Sequence, residues 1–302
     1  MKFGEIRAFI FITLIAVSVT FLSCNKINDL FSTEDKEVSD NESAQESTVN
    51  ELDDMATSVL NGSSVSGSAG GRTALADDRF ACADIAFSDV NADKTEGVVT
   101  ITFPANGCQD KKGNVRKGKI TIAWTGGRWF KPGSSYTIKL DGYSINDIDI
   151  TGGSTVLCTD YKANPLTVNW SITAKHTAVW PDGSTATRSV HRNRKWEHTA
   201  TDDIFTVTNA PSGITCAEGT NRHGFSYKVF ITTPLVYVGS CARASKVFIP
   251  LSGEKVITCN SKNGKTKSLT INYGVGECDN SYTATVGNIS KTLTAKNDSS
   301  GD

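Results

Sequence analysis

The chain has 302 residues and a net charge of −1, enough length for one large core or two small ones. The charge is uneven: residues 25–62 carry ten acidic and two basic residues, whereas residues 63–302 carry 27 basic and 21 acidic ones. A body with a net charge of only +6 does not predict a nucleic-acid partner.

The first 23 residues have the pattern of a signal peptide. Lys2 and Arg7 precede the uncharged, mostly apolar stretch 8–22, which is shorter than the roughly 20 residues that span a membrane. Ser23 and Cys24 follow as in a bacterial lipobox, where the signal is cut before a cysteine that is then acylated. We therefore predict a lipid anchor on Cys24, with acyl chains such as palmitate partitioning into a membrane. An ordinary secretory signal is the alternative.

Residues 24–71 are predicted to tether the body to this anchor. The acidic, Ser- and Asn-rich stretch 25–48 lacks the apolar residues needed to fold alone. A short amphipathic helix is predicted at about 42–61, because apolar residues recur there at helical spacing: Val49, Leu52, Met55, Ala56, Val59 and Leu60. We expect this helix to pack on the body, covering an edge or mouth, with partner binding as the alternative. The Ser- and Gly-rich stretch 62–71 reads as a flexible linker.

Residues 72–302 are predicted to form a single antiparallel β domain. Short runs of Thr, Val, Ile and aromatic residues alternate with Gly, Pro, Asn and Asp, which is typical of strands and turns. The candidate strands are 81–89, 98–104, 117–125, 135–141, 143–150, 154–159, 166–180, 184–197, 203–208, 225–233, 246–251, 254–260, 267–273, 281–286 and 289–295.

The clearest hairpin joins strands 166–180 and 184–197 through Pro181-Asp182-Gly183. A three-residue loop pairs Trp180 with Ser184, so that even-numbered residues face even-numbered ones and form the buried face. This register places Trp170 opposite Arg194, which suits a cation–π contact. Asn263-Gly264 predicts a second hairpin, between strands 254–260 and 267–273.

Several side chains are candidates for a ligand site. Tryptophans on the inward face would line a curved sheet, and arginines on strand 184–197 would bind an anionic glycan or lipid headgroup, with core packing and a solvated strand as the alternatives. The six candidates are Trp124, Trp170, Trp180, Arg192, Arg194 and Trp196. The four histidines do not converge at metal-ligand spacing, and no catalytic motif is present. We predict no enzyme activity, metal or cofactor.

Eight cysteines are present, and export permits disulfides between them. A hairpin of strands 81–89 and 98–104 would bring Cys82 close to Cys108. The local meander would place Cys241 near Cys259.

Several motifs resemble a widespread group of uncharacterised Bacteroidetes lipoproteins. The motifs lie between residues 80 and 290: Thr100-Ile101-Thr102-Phe103 with Cys108, Arg116-Lys117-Gly118-Lys119-Ile120, Tyr143-Ser144-Ile145-Asn146-Asp147, Gly219-Thr220-Asn221-Arg222-His223-Gly224, Ile231-Thr232-Thr233-Pro234-Leu235-Val236, and Tyr273-Gly274 with Cys278-Asp279-Asn280. The resemblance implies an exported, lipid-anchored β-protein without an assigned activity. It also implies a disulfide between Cys241 and Cys278, which leaves Cys158 and Cys216 as the remaining predicted pair.

These observations predict an all-β fold: an antiparallel meander forming a sandwich or a curled half-barrel, with one short N-terminal amphipathic helix. The first functional hypothesis is a non-catalytic outer-membrane lipoprotein with a structural or adhesive role. The second is a carrier that holds a lipid or other apolar ligand inside the curved sheet, and the third is a surface protein that binds or cleaves glycans. The side of the membrane stays open, with the periplasmic side favoured.

Overall fold

The computed structural model describes residues 33–61, 77–127, 130–210, 215–241, 249–260 and 266–295. These residues contain one antiparallel sheet of fourteen strands and a long helix, α1 (Thr33–Asn61). A short 3-10 helix, Asp78–Phe80, precedes the first strand. The predicted signal peptide, Cys24 and the linker 62–71 lie outside the described residues.

The strands follow the chain order almost completely. They are β1 (Asp84–Ser88), β2 (Gly97–Gln109), β3 (Val115–Thr125), β4 (Ser135–Ile145), β5 (Ile148–Ala163), β6 (Leu166–Val179), β7 (Thr185–His198), β8 (Asp203–Asn209), β9 (Ala217–Thr220), β10 (Ser226–Val238), β11 (Ser252–Asn260), β12 (Thr266–Val275), β13 (Ser281–Val286) and β14 (Ile289–Thr294). The predicted all-β antiparallel meander is confirmed, as one sheet rather than a two-layer sandwich.

The meander departs from simple order at one place. β8 pairs with one part of β7 and β10, and β9 pairs with another part of the same two strands. These two short strands therefore share the gap between two long ones. Within the described part of the chain, no pairing joins β14 back to β1, so the sheet is open at its edges.

The presence of a strand was easier to predict from the sequence than the residues at which the strand begins and ends. The predicted strands 143–150 and 154–159 are instead parts of β4 and β5, which meet at a turn where Asn146 and Asp147 have positive φ. β9 was not predicted. Of the predicted strand 246–251, only 249–251 are described, and they lie outside any strand.

The central hairpin has the predicted register. The backbone N–H of Trp180 donates to the carbonyl of Ser184 over 3.0 Å, and Gly183 has a φ of 82°. Trp170 lies directly opposite Arg194, with the guanidinium 4.9 Å from the ring centroid. β11 and β12 also pair as predicted, although the Asn263-Gly264 turn lies outside the described residues.

Helix α1 differs from the prediction in both length and place. It begins at Thr33 rather than near residue 42, so much of the stretch expected to be disordered is helical. It does not cover an edge or mouth: side chains from β3, β7 and β13 all reach it, because the sheet curls around it. None of the helices in the described ranges is long and apolar enough to cross a membrane.

Two hydrophobic clusters fill the space between α1 and the sheet. One contains Leu52, Met55, Ala56 and Val59 of α1 with apolar residues of β2–β7. The other contains Val38 and Val49 with apolar residues mainly of β8–β14. Both clusters include α1, so this segment is part of the core rather than a tether outside it.

Two disulfides are present among the described residues: Cys82–Cys108 and Cys241–Cys278. Both were predicted, the second through the family resemblance. The predicted Cys158–Cys216 bond is wrong, because Cys158 lies on β5 within the first cluster while Cys216 lies beside β9 within the second. Cys158, Cys216 and Cys259 are buried thiols.

Candidate functional site

Acidic residues of α1 meet basic residues on the inward face of the sheet. Even-numbered residues of β7 point inward, and three of them are arginines. Arg188 binds Glu42, Arg192 binds Glu46 and Asn50, and Arg194 binds Asp53. Helix α1 and strand β7 therefore run side by side in the same direction, and ion pairs connect them. We call residues 38–49 of α1 the closed half and residues 50–60 the open half.

Lys255 of β11 completes the polar contacts of the closed half. Only 1% of its side chain is exposed, and it donates to Glu42 over 3.2 Å and also to Glu46. Burial alone raises the pKa of Glu46, but the charges of Lys255, Arg188 and Arg192 outweigh burial and lower it to about 2. Glu46 is therefore ionised at neutral pH, and it also accepts from the Tyr237 hydroxyl over 3.1 Å.

The open half is joined to strands β3, β4 and β7. Arg116 of β3 is fully buried and binds both Glu51 and Asp110, the latter over 2.7 Å. Burial raises the pKa of Asp110, and the Arg116 hydrogen bond and charge outweigh it, so that the pKa is lowered. Asp53 accepts from Arg194 and from the Tyr136 hydroxyl.

A cavity of about 790 Å³ lies beside the open half. Its walls come from α1, β5, β6, β7, β8 and β10, with residues 77–79 and the loop around Asp110 at its rim. Cavities of this size are typical of small-molecule sites, which range from about 300 to 1,000 Å³. The helix thus fills one part of the curled sheet and leaves space in another.

One wall of the cavity is aromatic and aliphatic. Its aromatic residues are Phe130, Tyr161, Trp170, Trp196, Phe205 and Tyr237, and its aliphatic residues include Leu166, Val207, Val238, Ile249 and Leu251. Phe130 and Tyr161 lie with their ring centroids 6.1 Å apart. The Arg194 guanidinium stacks on Trp170 and also lies 5.8 Å from Phe205. This wall offers a large apolar surface to a ligand.

The rim is rich in carboxylates. Arg79 binds two of them, donating to Asp54 over 2.5 Å and to Asp77 over 3.0 Å. Asp203 accepts from the Trp196 indole over 3.1 Å and lies 2.8 Å from Nδ1 of His198. Among the described residues of the lining, carboxylates outnumber cations by six to three: Glu51, Asp54, Asp77, Asp78, Asp110 and Asp203 against Arg79, Lys112 and Arg194.

Three of the six predicted ligand-facing residues meet at this cavity: Trp170, Arg194 and Trp196. The other three lie elsewhere. Trp124 is in the core with its indole N–H 3.5 Å from the Lys94 carbonyl, and Trp180 is buried beneath Arg222, whose guanidinium is 5.0 Å from the ring. Arg192 is buried against α1.

The expectation that strand arginines bind an external anion is wrong for Arg192 and Arg194, because carboxylates of α1 already hold them. Sequence reasoning missed the carboxylates of the cavity rim, which come from segments far apart in the chain. A signal was present only for the helix carboxylates that bind Arg192 and Arg194: the predicted register placed these arginines on a buried face, and buried arginines need acidic partners.

Cys158 and Cys216 are poor nucleophiles. Burial raises the pKa of Cys158, and it raises the pKa of Cys216 to about 12. His176 on β6 is buried with both ring nitrogens lacking a hydrogen-bond partner in the described ranges. Burial, with help from the Arg188 charge, lowers its pKa to about 4. No cluster of His, Cys, Asp and Glu among the described residues could hold a metal ion.

Comparison with known proteins supplies no relative: no family model, no curated protein and no solved structure matches the chain.

Proposed function

We propose that the chain is a lipid-anchored, non-catalytic protein of the outer membrane that holds an apolar ligand in the cavity beside the open half of α1. The observation that carries this proposal is the cavity itself. About 790 Å³ of space lined by six aromatic side chains would be costly to leave in a core, since packed interiors have few such voids. The proposal modifies the carrier hypothesis, because α1 occupies the rest of the sheet interior.

The anchor is proposed from the sequence, with Cys24 acylated after removal of residues 1–23. Eight residues separate Cys24 from the start of α1 at Thr33, which spans at most about 30 Å when fully extended. The body therefore stays close to the membrane surface. Membership of the group of Bacteroidetes lipoproteins remains part of this proposal.

A structural or adhesive role is the second candidate. It is favoured by the closed half, where buried ion pairs and apolar residues fill the sheet interior. Glycan binding would instead use the aromatic wall as a stacking surface for sugar rings. The two ligand hypotheses differ in what co-purifies with the protein.

The first test is native purification of the full chain followed by mass spectrometry of extracted small molecules. Val207→Phe places a larger side chain in the cavity, and Val275→Phe, at a position 92% exposed, is the matched control. We expect an apolar compound from the wild type and from the control, and much less from Val207→Phe. An equal yield from all three proteins, or no compound from any, contradicts the proposal.

A second test addresses the anchor and the side of the membrane. Metabolic labelling with a fatty acid should mark the wild type and not Cys24→Ser. Protease treatment of intact cells should degrade a surface-exposed body and spare a periplasmic one. Incorporation of label into Cys24→Ser would remove the basis of the proposed anchor.

A further inference from the structure

The cavity beside the open half of α1 opens to the surface. Asp54 and Tyr161 line it, and their side chains remain 47% and 38% exposed. Behind this mouth, aliphatic side chains of β6, β8, β10 and the segment 249–251 form an apolar interior. An acyl chain suits such a space, because it needs no polar partner and gains free energy wherever water is excluded from it.

The proposed anchor lies within reach of this mouth. The eight residues between Cys24 and Thr33 extend to at most about 30 Å. One acyl chain adds about 15 Å, which is half of the hydrocarbon thickness of a bilayer. The cavity begins beside Asn50, which lies about 25 Å from Thr33 along the helix axis. The segment 25–32 and one acyl chain together therefore exceed this distance by about 20 Å.

The direct path along α1 is closed to the segment 25–32, because all of residues 38–44 are buried. To reach the cavity, this segment would pass over the outer surface of the sheet. Such a detour adds about 10 Å, the thickness of one packed layer. The excess length covers the detour, so the chain permits the contact.

An acyl chain that is not in a membrane is driven towards any apolar site within its reach. Removing it from water contributes about 0.8 kcal/mol for each buried CH₂ group. Because it is attached to the same molecule, its effective concentration at the cavity is on the order of millimolar. A free ligand at micromolar concentration would compete poorly with it.

We infer that an acyl chain on Cys24 enters the cavity when the protein is off the membrane, and that it competes there with the apolar ligand. The inference rests on the proposed function and adds its regulation. Insertion of the anchor into a bilayer withdraws the acyl chain and frees the cavity. Only the membrane-bound protein then takes up its ligand.

The test compares two forms of the mature chain, which begins at Cys24. The Cys24 thiol is capped with N-hexadecylmaleimide in one form and with N-ethylmaleimide in the other, so that the two differ only in alkyl length. Fluorescence titration with N-phenyl-1-naphthylamine, an uncharged apolar probe, gives the affinities in detergent-free buffer. We expect the hexadecyl form to bind the probe about tenfold more weakly than the ethyl form, or weaker still.

Two further measurements locate the competition in the cavity. In the ethyl form, Val207→Phe should weaken probe binding, whereas the exposed control Val275→Phe should not. A hexadecyl cap that carries a photoreactive diazirine should crosslink to lining residues such as Leu166 or Leu251. Phosphatidylcholine vesicles should abolish these crosslinks, because the bilayer takes up the alkyl chain.

The outcomes separate the two claims. If neither form binds the probe, or Val207→Phe leaves probe binding unchanged, the proposed function fails and the inference with it. If both forms bind the probe equally, or the crosslinks lie outside the cavity or persist on vesicles, the inference is overturned while the cavity remains a binding site. A difference that disappears on dilution of the protein would also overturn it, because the alkyl chain of one molecule would then be entering another.

Discussion

The closed half and the open half of α1 face the same sheet, but they differ in how their acidic residues are paired and in how closely they pack against it. In the closed half, Glu42 and Glu46 face three cations, Arg188, Arg192 and Lys255, at contact distance. In the open half, a cavity separates α1 from part of the wall, and among the described residues that line it carboxylates exceed cations. The difference indicates that the ion pairs of the closed half stabilise the fold. The cavity and the charged residues beside the open half are not required for stability alone.

The largest expected effect comes from breaking the charge balance of the closed half. Lys255→Met removes a buried cation and leaves Glu42 and Glu46 with less compensation, which should lower the free energy of unfolding by about 3–5 kcal/mol. Urea unfolding followed by tryptophan fluorescence measures it. Lys195→Met, which breaks an exposed pair with Glu197 on β7, is the control and should cost less than about 1 kcal/mol. Similar losses in the two variants would refute a special role for the closed half.

The second largest effect should come from acid, which should lower the free energy of unfolding through residues around the closed half. His176 has a lowered pKa, so below pH 6.5 the unfolded chain binds a proton that the folded chain does not bind until about pH 4. Stability should therefore fall between pH 6.5 and pH 4, by about 3 kcal/mol at most. The lowered pKa of Glu46 extends the loss below pH 4.5, towards pH 2.

His176→Met should remove the first part of this acid sensitivity. The difference in unfolding free energy between variant and wild type should grow as the pH falls from 7 to 4, as measured by urea unfolding at each pH. His191→Gln, which removes an exposed histidine on the neighbouring strand, serves as the control for the loss of a histidine. A flat profile for His176→Met would show that its burial does not couple to protonation.

A matched pair of substitutions compares the space in the two halves directly. Val190 and Val207 are both buried and face inward from neighbouring strands, but only Val207 lines the cavity. Val190→Phe should cost about 1–3 kcal/mol through overpacking, whereas Val207→Phe should change stability by less than about 1 kcal/mol. Urea unfolding of both variants measures this, and equal costs would mean that the cavity does not accept added volume.

Much of the fold could be predicted from local sequence, and the site could not. Period-two alternation and the Pro181-Asp182-Gly183 turn predicted the register of β6 and β7, because both signals lie within a few residues. The position of α1 depends on Arg188 and Lys255, which lie far along the chain from Glu42. An acidic run is usually solvated, so the stretch 25–48 was predicted to be a disordered tether, with a helix only from about residue 42.

The cavity was still less predictable, since it is the space left where α1 and five strands do not meet. Trp170 and Trp196 were predicted as ligand-facing because they alternate on a buried face, and both line the cavity. Trp180 has the same alternation and is buried beneath Arg222 instead. The alternation of residues along a strand predicts on which face of the sheet a side chain lies. Whether other residues fill the space above that side chain depends on how the helix packs.

The smallest expected effect is on the reaction of buried cysteines with a reagent rather than on the free energy of unfolding. Cys216 lies in the cluster around the closed half, and burial raises its pKa to about 12. Cys158 lies opposite Trp170 of the cavity wall, where a smaller local opening should suffice to expose it. With a thiol-alkylating reagent and mass spectrometry at rising urea, Cys158 should react before global unfolding and Cys216 only with it.

Denatured protein gives the control rates of alkylation, which should be alike for the two cysteines. Simultaneous labelling of the two thiols in the native protein would show that the two halves open together and that the closed half has no separate stability.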